Sequence, residues 1–209
     1  MNKQSIRNTV RAHVLQQMRK GALNVGRTIN LAALSRQLGV SVTPIREALA
    51  QLEQAQIIKA VPNRGFVISG FDEKEARNLY ETVAQLEVIA MENTSYEKSM
   101  LQQLKKLQLE LQQTHTPQSR LAARFHFHAL LIAPCKNKIL VQILDDLKTR
   151  ILFYEQAYIR DASVYERIDN QNESIISAIE ENNIPTAALI LKMNWMVVLD
   201  YLERQMQEK

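Results

Sequence analysis

The sequence predicts a mainly α-helical chain in two parts: a winged helix-turn-helix, helices with a small β-hairpin wing, over residues 1–70, and an all-α bundle over residues 71–209. Three observations predict it. Apolar residues recur at helical spacing along most of the chain. The β-prone runs gather in one place, at 57–61 and 66–69, around the turn chemistry of Pro62-Asn63-Arg64-Gly65. Glycine is absent after Gly70, so the second part reads as helices and nothing else.

The first helix, roughly 5–20, places Ile6, Val10, Val14 and Met18 on one apolar face, and Gly21 and Gly26 bracket its end. Asn30 is a plausible N-cap for a short helix over 31–38 that Gly39 stops. After a turn of three or four residues, Thr43 supplies an N-cap and Pro44 an N1 proline for a helix that runs to about Gln54 and turns Ile45, Ala48, Leu49 and Leu52 inward. Helix, turn and helix at this spacing form the unit that lays its second helix in the major groove of DNA. The two β-prone runs behind it form the wing, with Arg64 at its tip.

From residue 72 onward six helices are expected. Leu79, Val83, Leu86 and Ala90 mark the first, and a Leu-, Gln- and Lys-rich second spans about 98–113. The third covers about 118–133 before Pro134, and the fourth about 137–160, with Leu140, Ile143, Leu144, Leu147, Ile151 and Tyr154. The fifth covers about 163–181, and the sixth runs from Pro185 to about Gln207. Tyr154, Tyr158, Met193 and Trp195 read as core or interface, and Cys135 as a packed thiol.

Composition narrows the classes. With one cysteine there is no intrachain disulfide, which suits a reducing compartment. No apolar run is long enough for a membrane span, and the start does not read as a signal peptide, so a cytoplasmic protein without a membrane partner is expected. The net charge of +4 hides a division: residues 1–70 hold ten Lys and Arg against Glu47 and Glu53, a net of +8, whereas residues 71–209 sum to −4. A basic part joined to a mildly acidic one suggests that one half meets a polyanion.

The run Gly39-Val40-Ser41-Val42-Thr43-Pro44-Ile45-Arg46-Glu47-Ala48-Leu49, with the Pro-Asn-Arg-Gly wing behind it, resembles the GntR family of bacterial transcription regulators. The helical second part resembles the ligand-binding FCD domain of the FadR subfamily, at Phe127-His128, Leu131, Asn137 and Leu140 and again at Ile175, Ile176, Ala178, Ile179 and Ala187. The resemblance implies a transcription regulator, usually a repressor, that binds double-stranded DNA as a homodimer on a palindromic operator. It implies no enzyme activity.

For the DNA site, Ser41 and Thr43 offer hydroxyls and helix-start amides to phosphate oxygens, and Arg46, one turn in, reaches base edges. The alternative for Arg46 is a pair with Glu47 or Glu53. The family commonly has an arginine where this chain has Val42; a valine there can touch a thymine methyl. Arg64 and Gly65 top the wing and are expected at the minor groove or adjacent phosphates. Arg36 is a further backbone contact, with Arg7, Arg11 and Arg27 as secondary candidates.

FCD domains, as the resemblance implies, hold a divalent metal through one Asp and three His, and the metal grips a carboxylate effector. In this chain His128 matches one histidine, but Arg124 stands at the Asp position, and Asn172 and Asn194 stand at the other two histidines. A cation beside one imidazole opposes a second cation, and amides bind first-row metals poorly, so no cofactor and no metal is expected. One reading has Arg124 take the ion's role and fork to an anionic effector, with His128, Asn172, Asn194 and Tyr154 completing the site. The other has Arg124 neutralise an internal acid, Glu87 or Asp146, in a domain that only dimerises. His126 and His128, two apart on a helix, face different ways and cannot chelate one ion well, which speaks against a metal-dependent enzyme.

Overall fold

A computed structural model of the chain describes residues 3–19, 23, 26–69, 72–159 and 164–207. Two compact units divide it, Met1–Phe71 and Asp72–Lys209. The expectations placed on Gly21, Gly70 and the Met18, Arg7 and Arg11 side chains lie outside the described residues.

In the first unit, α1 (Lys3–Arg19) and α2 (Leu31–Leu38) both pack on α3 (Val42–Gln54). The core closes on Val10, Val14, Leu34, Ile45, Leu49 and Leu52. Asn30 caps α2, its Oδ1 accepting from the Ala33 amide at 2.9 Å. Gly39 ends α2 at φ 66°, a left-handed cap that suits a residue without Cβ, and Ser35 Oγ donates to the Val40 carbonyl at 2.6 Å to set the turn.

The third helix begins earlier than expected. Ser41, in extended backbone, occupies the N-cap and the helix starts at Val42, so Thr43 lies inside the first turn and Pro44 is the third helical residue. Pro44 is tolerated there because the first-turn amides have no intrahelical acceptor, which leaves the missing N–H without cost. The wing pairs β1 (Ile58–Val61) antiparallel with β2 (Gly65–Ile68), Ile58 opposite Ile68 and Val61 opposite Gly65. Asn63 and Gly65 both take positive φ at its tip, as Asn and Gly tolerate. A third edge was not expected: Gly26–Ile29 lies along β2, through Gly26 N to Ile68 O, Ile68 N to Arg27 O and Ile29 N to Phe66 O.

The second unit is built of α4 (Glu73–Glu92), α5 (Lys98–Gln112), α6 (Pro117–Ile132), α7 (Lys138–Tyr158), α8 (Val164–Glu180) and α9 (Ile184–Gln207). The helices pack in a closed circuit: α4 on α9, α9 on α8, α8 on α5, α5 on α6, α6 on α7, and α7 back on α4. Asp72, Thr116 and Asn137 cap α4, α6 and α7 with their side chains. Among the described residues no helix is long and apolar enough to cross a membrane.

Candidate nucleic-acid interface and effector site

The inward stripe of α3 is Ile45, Ala48, Leu49 and Leu52, all buried, which leaves Thr43, Arg46 and Ala50 on its exposed side. Ser41 is exposed and makes no cap hydrogen bond to the first turn, and Val42 is half-buried. The amino end of α3 thus offers a hydroxyl, two amides and the positive pole of the helix dipole. Arg46 forms no ion pair among the described residues. Glu53, about two turns on, instead accepts from the Ala60 amide of the wing at 2.7 Å, tying α3 to β1. Arg36 is exposed on α2; Arg64 and Gly65 are exposed at the wing tip, where Arg64 Nη2 lies 3.4 Å from the Gly26 carbonyl.

Inside the helical unit a polar cluster occupies positions that an amphipathic helix normally gives to apolar residues. Arg124 is 1% exposed on α6, and its Nη1 donates to Glu155 Oε1 of α7 at 2.8 Å. The acid that meets Arg124 is therefore Glu155 and not the expected Glu87 or Asp146; Asp146 is exposed and accepts from Gln142. Tyr80 of α4 donates to the same Glu155 oxygen at 2.8 Å. Trp195 of α9 lies under the guanidinium, 4.2 Å from its carbon to the ring centre, within cation–π range.

Glu87 of α4 anchors a second group. His128 Nδ1 lies 2.7 Å and Trp195 Nε1 2.6 Å from its Oε2, and Lys148 of α7 pairs with its Oε1. The His128 ring stands 4.5 Å from the Trp195 ring, which therefore touches both clusters. A chain of amides completes the interior: Asn194 Nδ2 donates to Asn172 Oδ1 at 3.0 Å, and Asn172 Nδ2 to Gln108 Oε1 of α5 at 3.0 Å. Tyr154, also buried, sits beneath the Arg150 guanidinium of its own helix. His126 is exposed.

The electrostatics follow from burial. Burial would push the Glu87 carboxyl up, but His128 and Lys148 outweigh it and hold it below the usual carboxylate range. Burial also dominates at His128: despite Glu87, and with Arg124 and Lys148 nearby, the imidazole is held below its ordinary value. It is therefore neutral near pH 7, its proton on Nδ1 facing Glu87 and its Nε2 a bare acceptor. Burial lifts Glu155 above the usual carboxylate range against the pull of Arg124 and the Tyr80 hydroxyl. A guanidinium and a phenol both donate to its Oε1, which favours the charged form against that burial.

Several buried polar atoms lack a protein partner: Arg124 Nε and Nη2, His128 Nε2, Glu155 Oε2, Asn194 Oδ1 and the Tyr165 hydroxyl. Each such atom left unsatisfied costs about 1–3 kcal/mol. A divalent metal does not fit them. Of the four family positions only His128 Nε2 is a first-row donor; Arg124 is a paired cation, and the two Asn bond to one another. Among the described residues no group of three or more His, Cys, Asp or Glu is placed to hold an ion.

Sequence reasoning missed Glu155, Lys148, Trp195 and Tyr80 as site residues. A signal existed on α7, where Leu140, Leu144, Lys148, Ile151 and Glu155 form one stripe at helical spacing and all are buried. Charges on an apolar stripe announce buried pairs.

Comparison with known proteins gives consistent findings. Residues 6–68 match the family described as bacterial regulatory proteins, gntR family, and residues 75–194 match the FCD domain. The HTH-type transcriptional regulator YdhC of Bacillus subtilis, itself described as uncharacterized, is 30% identical over 142 residues, 64% of this chain. That match spans 62% of the relative's own length. McbR of Escherichia coli, an HTH-type transcriptional regulator, is 25% identical over 162 residues, 74% of this chain and 73% of McbR. The solved structure of E. coli McbR/YncC superposes with a TM-score of 0.74 at 19% identity, covering 96% of this chain and 98% of that one, which shows a shared fold.

Proposed function

This chain belongs to the gntR family of bacterial regulatory proteins and carries an FCD domain, and from that premise we propose that it is a homodimeric repressor, released from a palindromic operator by a small metabolite bound without a metal. Membership of that family supports a transcriptional regulator.

The observation that carries the DNA reading is the exposed side of α3, with Thr43 and Arg46 on it and no acid among the described residues paired to the guanidinium, in a segment of net charge +8. Ser41 and Thr43 hold phosphate oxygens, Arg46 reads a base edge, and Arg64 with Gly65 reaches the neighbouring groove, with Arg36 on the backbone. A single unit of this size covers too little duplex for useful selectivity, which favours two copies on a two-fold site. Exposed apolar pairs one turn apart, Leu189 with Met193 on α9 and Ile139 with Ile143 on α7, offer surface for such pairing. Occupation of an operator by the pair excludes polymerase, and this makes repression the direct outcome of binding.

The test uses a DNA fragment selected by the wild-type protein from a random pool. Arg46→Ala should weaken binding by about 1–3 kcal/mol, roughly 5- to 150-fold, with an unchanged circular dichroism spectrum. Full affinity in that variant would contradict the assignment. One observation favours a second reading, a helical domain that only dimerises: Arg124 already has an internal carboxylate in Glu155. That reading predicts no ligand-dependent rise in melting temperature across a broad metabolite panel.

A further inference from the structure

The atoms of the polar cluster that have no protein partner are not a random set. Two are donors, Arg124 Nε and Nη2, and they form one edge of the guanidinium, the side-on fork that matches the two oxygens of a carboxylate. Glu155 takes only the remaining nitrogen, Nη1. Three are acceptors, Glu155 Oε2, His128 Nε2 and Asn194 Oδ1, and the Tyr165 hydroxyl can act as either. All belong to side chains no more than 1% exposed. Trp195 links them, since it touches the guanidinium of Arg124 and the ring of His128 and follows Asn194 in the chain.

Charge adds a second, independent constraint. Arg124 is matched by Glu155 and Lys148 by Glu87, and the imidazole of His128 is neutral, so the charges of this cluster are already paired. A simple anion on Arg124 would leave one negative charge unpaired in a dry interior and would satisfy none of the three acceptors. A cation alone would leave the fork unmet.

We propose that the helical unit binds a small zwitterion of the amino-acid class, its carboxylate on the Nε–Nη2 edge of Arg124 and its ammonium on the acceptors Glu155, His128 and Asn194. This rests on the reading that the unit senses a small molecule, and it replaces the anionic effector of the sequence analysis with a net-neutral one. Trp195, already stacked beneath the guanidinium, walls the carboxylate end.

The experiment titrates the full-length protein with the proteinogenic L-amino acids singly, by thermal shift and calorimetry. Each binder is then compared with its deaminated and decarboxylated counterparts, for example L-leucine with 4-methylpentanoate and isopentylamine, and with Zn²⁺ and Mn²⁺ alone. At least one amino acid should bind, with both counterparts weaker by about thirtyfold or more, the effect of losing one charge-assisted contact set. A counterpart acid within about threefold of the amino acid, or binding of the metals alone, overturns the zwitterion while leaving effector sensing intact. A flat response to the whole panel also overturns it, and a separate panel of sugars, nucleotides and dicarboxylates then decides whether the unit senses anything.

Glu155→Gln supplies the readout that a purely structural role would not give. The amide keeps an oxygen for Arg124 and Tyr80 but removes one negative charge. It should weaken the amino acid about tenfold or more and strengthen the deaminated acid. Equal loss of both ligands, with the fold retained by circular dichroism, would overturn the assignment.

Discussion

His128 sits where water does not reach, and its protonation is set by its neighbours. Burial holds its folded-state value below that of an exposed histidine, near 6.5. A depressed histidine contributes stability that is present above the unfolded value and lost as pH falls towards the folded one, because the unfolded chain takes up a proton that the folded chain refuses. Glu155, raised by burial, works in the opposite direction: the folded form gains relative stability as pH falls through its value. The raw pH profile mixes the two, so the informative quantity is a difference. Between about pH 7 and pH 5, denaturant stability of the wild type should fall more steeply than that of His128→Gln, which has no imidazole to titrate. Parallel slopes would mean that His128 titrates in the folded protein as it does in the unfolded chain. At this scale the sequence was read well where type and spacing agree. His128 and Arg124 were located because they fall on a matched motif. Their partners were not, because Glu155 lies 31 residues and Glu87 41 residues from them, and no local rule pairs residues across that separation.

Elements were legible where their ends carry chemistry. Asn30 and Gly39 announce both ends of α2, and Pro62 through Gly65 announce the wing. The start of α3 was placed two residues late because Thr43-Pro44 has the look of a cap followed by an N1 proline, whereas proline fits any of the first-turn positions that lack an intrahelical acceptor. The Gly26–Ile29 edge went unread because four residues without alternation carry no β signal; β2 recruits them through backbone hydrogen bonds alone. The Asn30 cap can be tested within the full chain. Asn30→Ala removes the acceptor of the Ala33 amide and should cost about 1 kcal/mol, raising amide exchange across Leu31–Leu38 about fivefold. Exchange in α6, capped by its own Thr116, should not change. An unaltered rate in α2 would show that packing on α3, and not the cap, holds the helix.

For the molecule as a whole, the division of charge was plain in the sequence, while a pairing of two copies was expected only from the family resemblance, since one chain carries little information on its own partner beyond exposed apolar residues. Salt titration joins the two. Each lysine or arginine placed on a phosphate releases condensed counterions, so the slope of log affinity against log salt counts the contacts. The basic segment offers, per copy, the amino end of α3, the wing tip at Arg64, Arg36 on α2 and further arginines. If each copy makes about four phosphate contacts, a dimer makes about eight and its slope is near −7, whereas one copy alone gives about −3.5. The helical unit, at net −4, adds nothing to this count and opposes loose association with the duplex. Affinity for the selected fragment should therefore fall by about three orders of magnitude between roughly 50 and 150 mM potassium chloride. Arg64→Ala should make the slope shallower by about 2, one unit for each copy, because the same substitution acts at both half-sites. A change of about 1 would mean that a single wing touches the DNA, and the two-fold arrangement would have to be abandoned even if the protein were a dimer in solution.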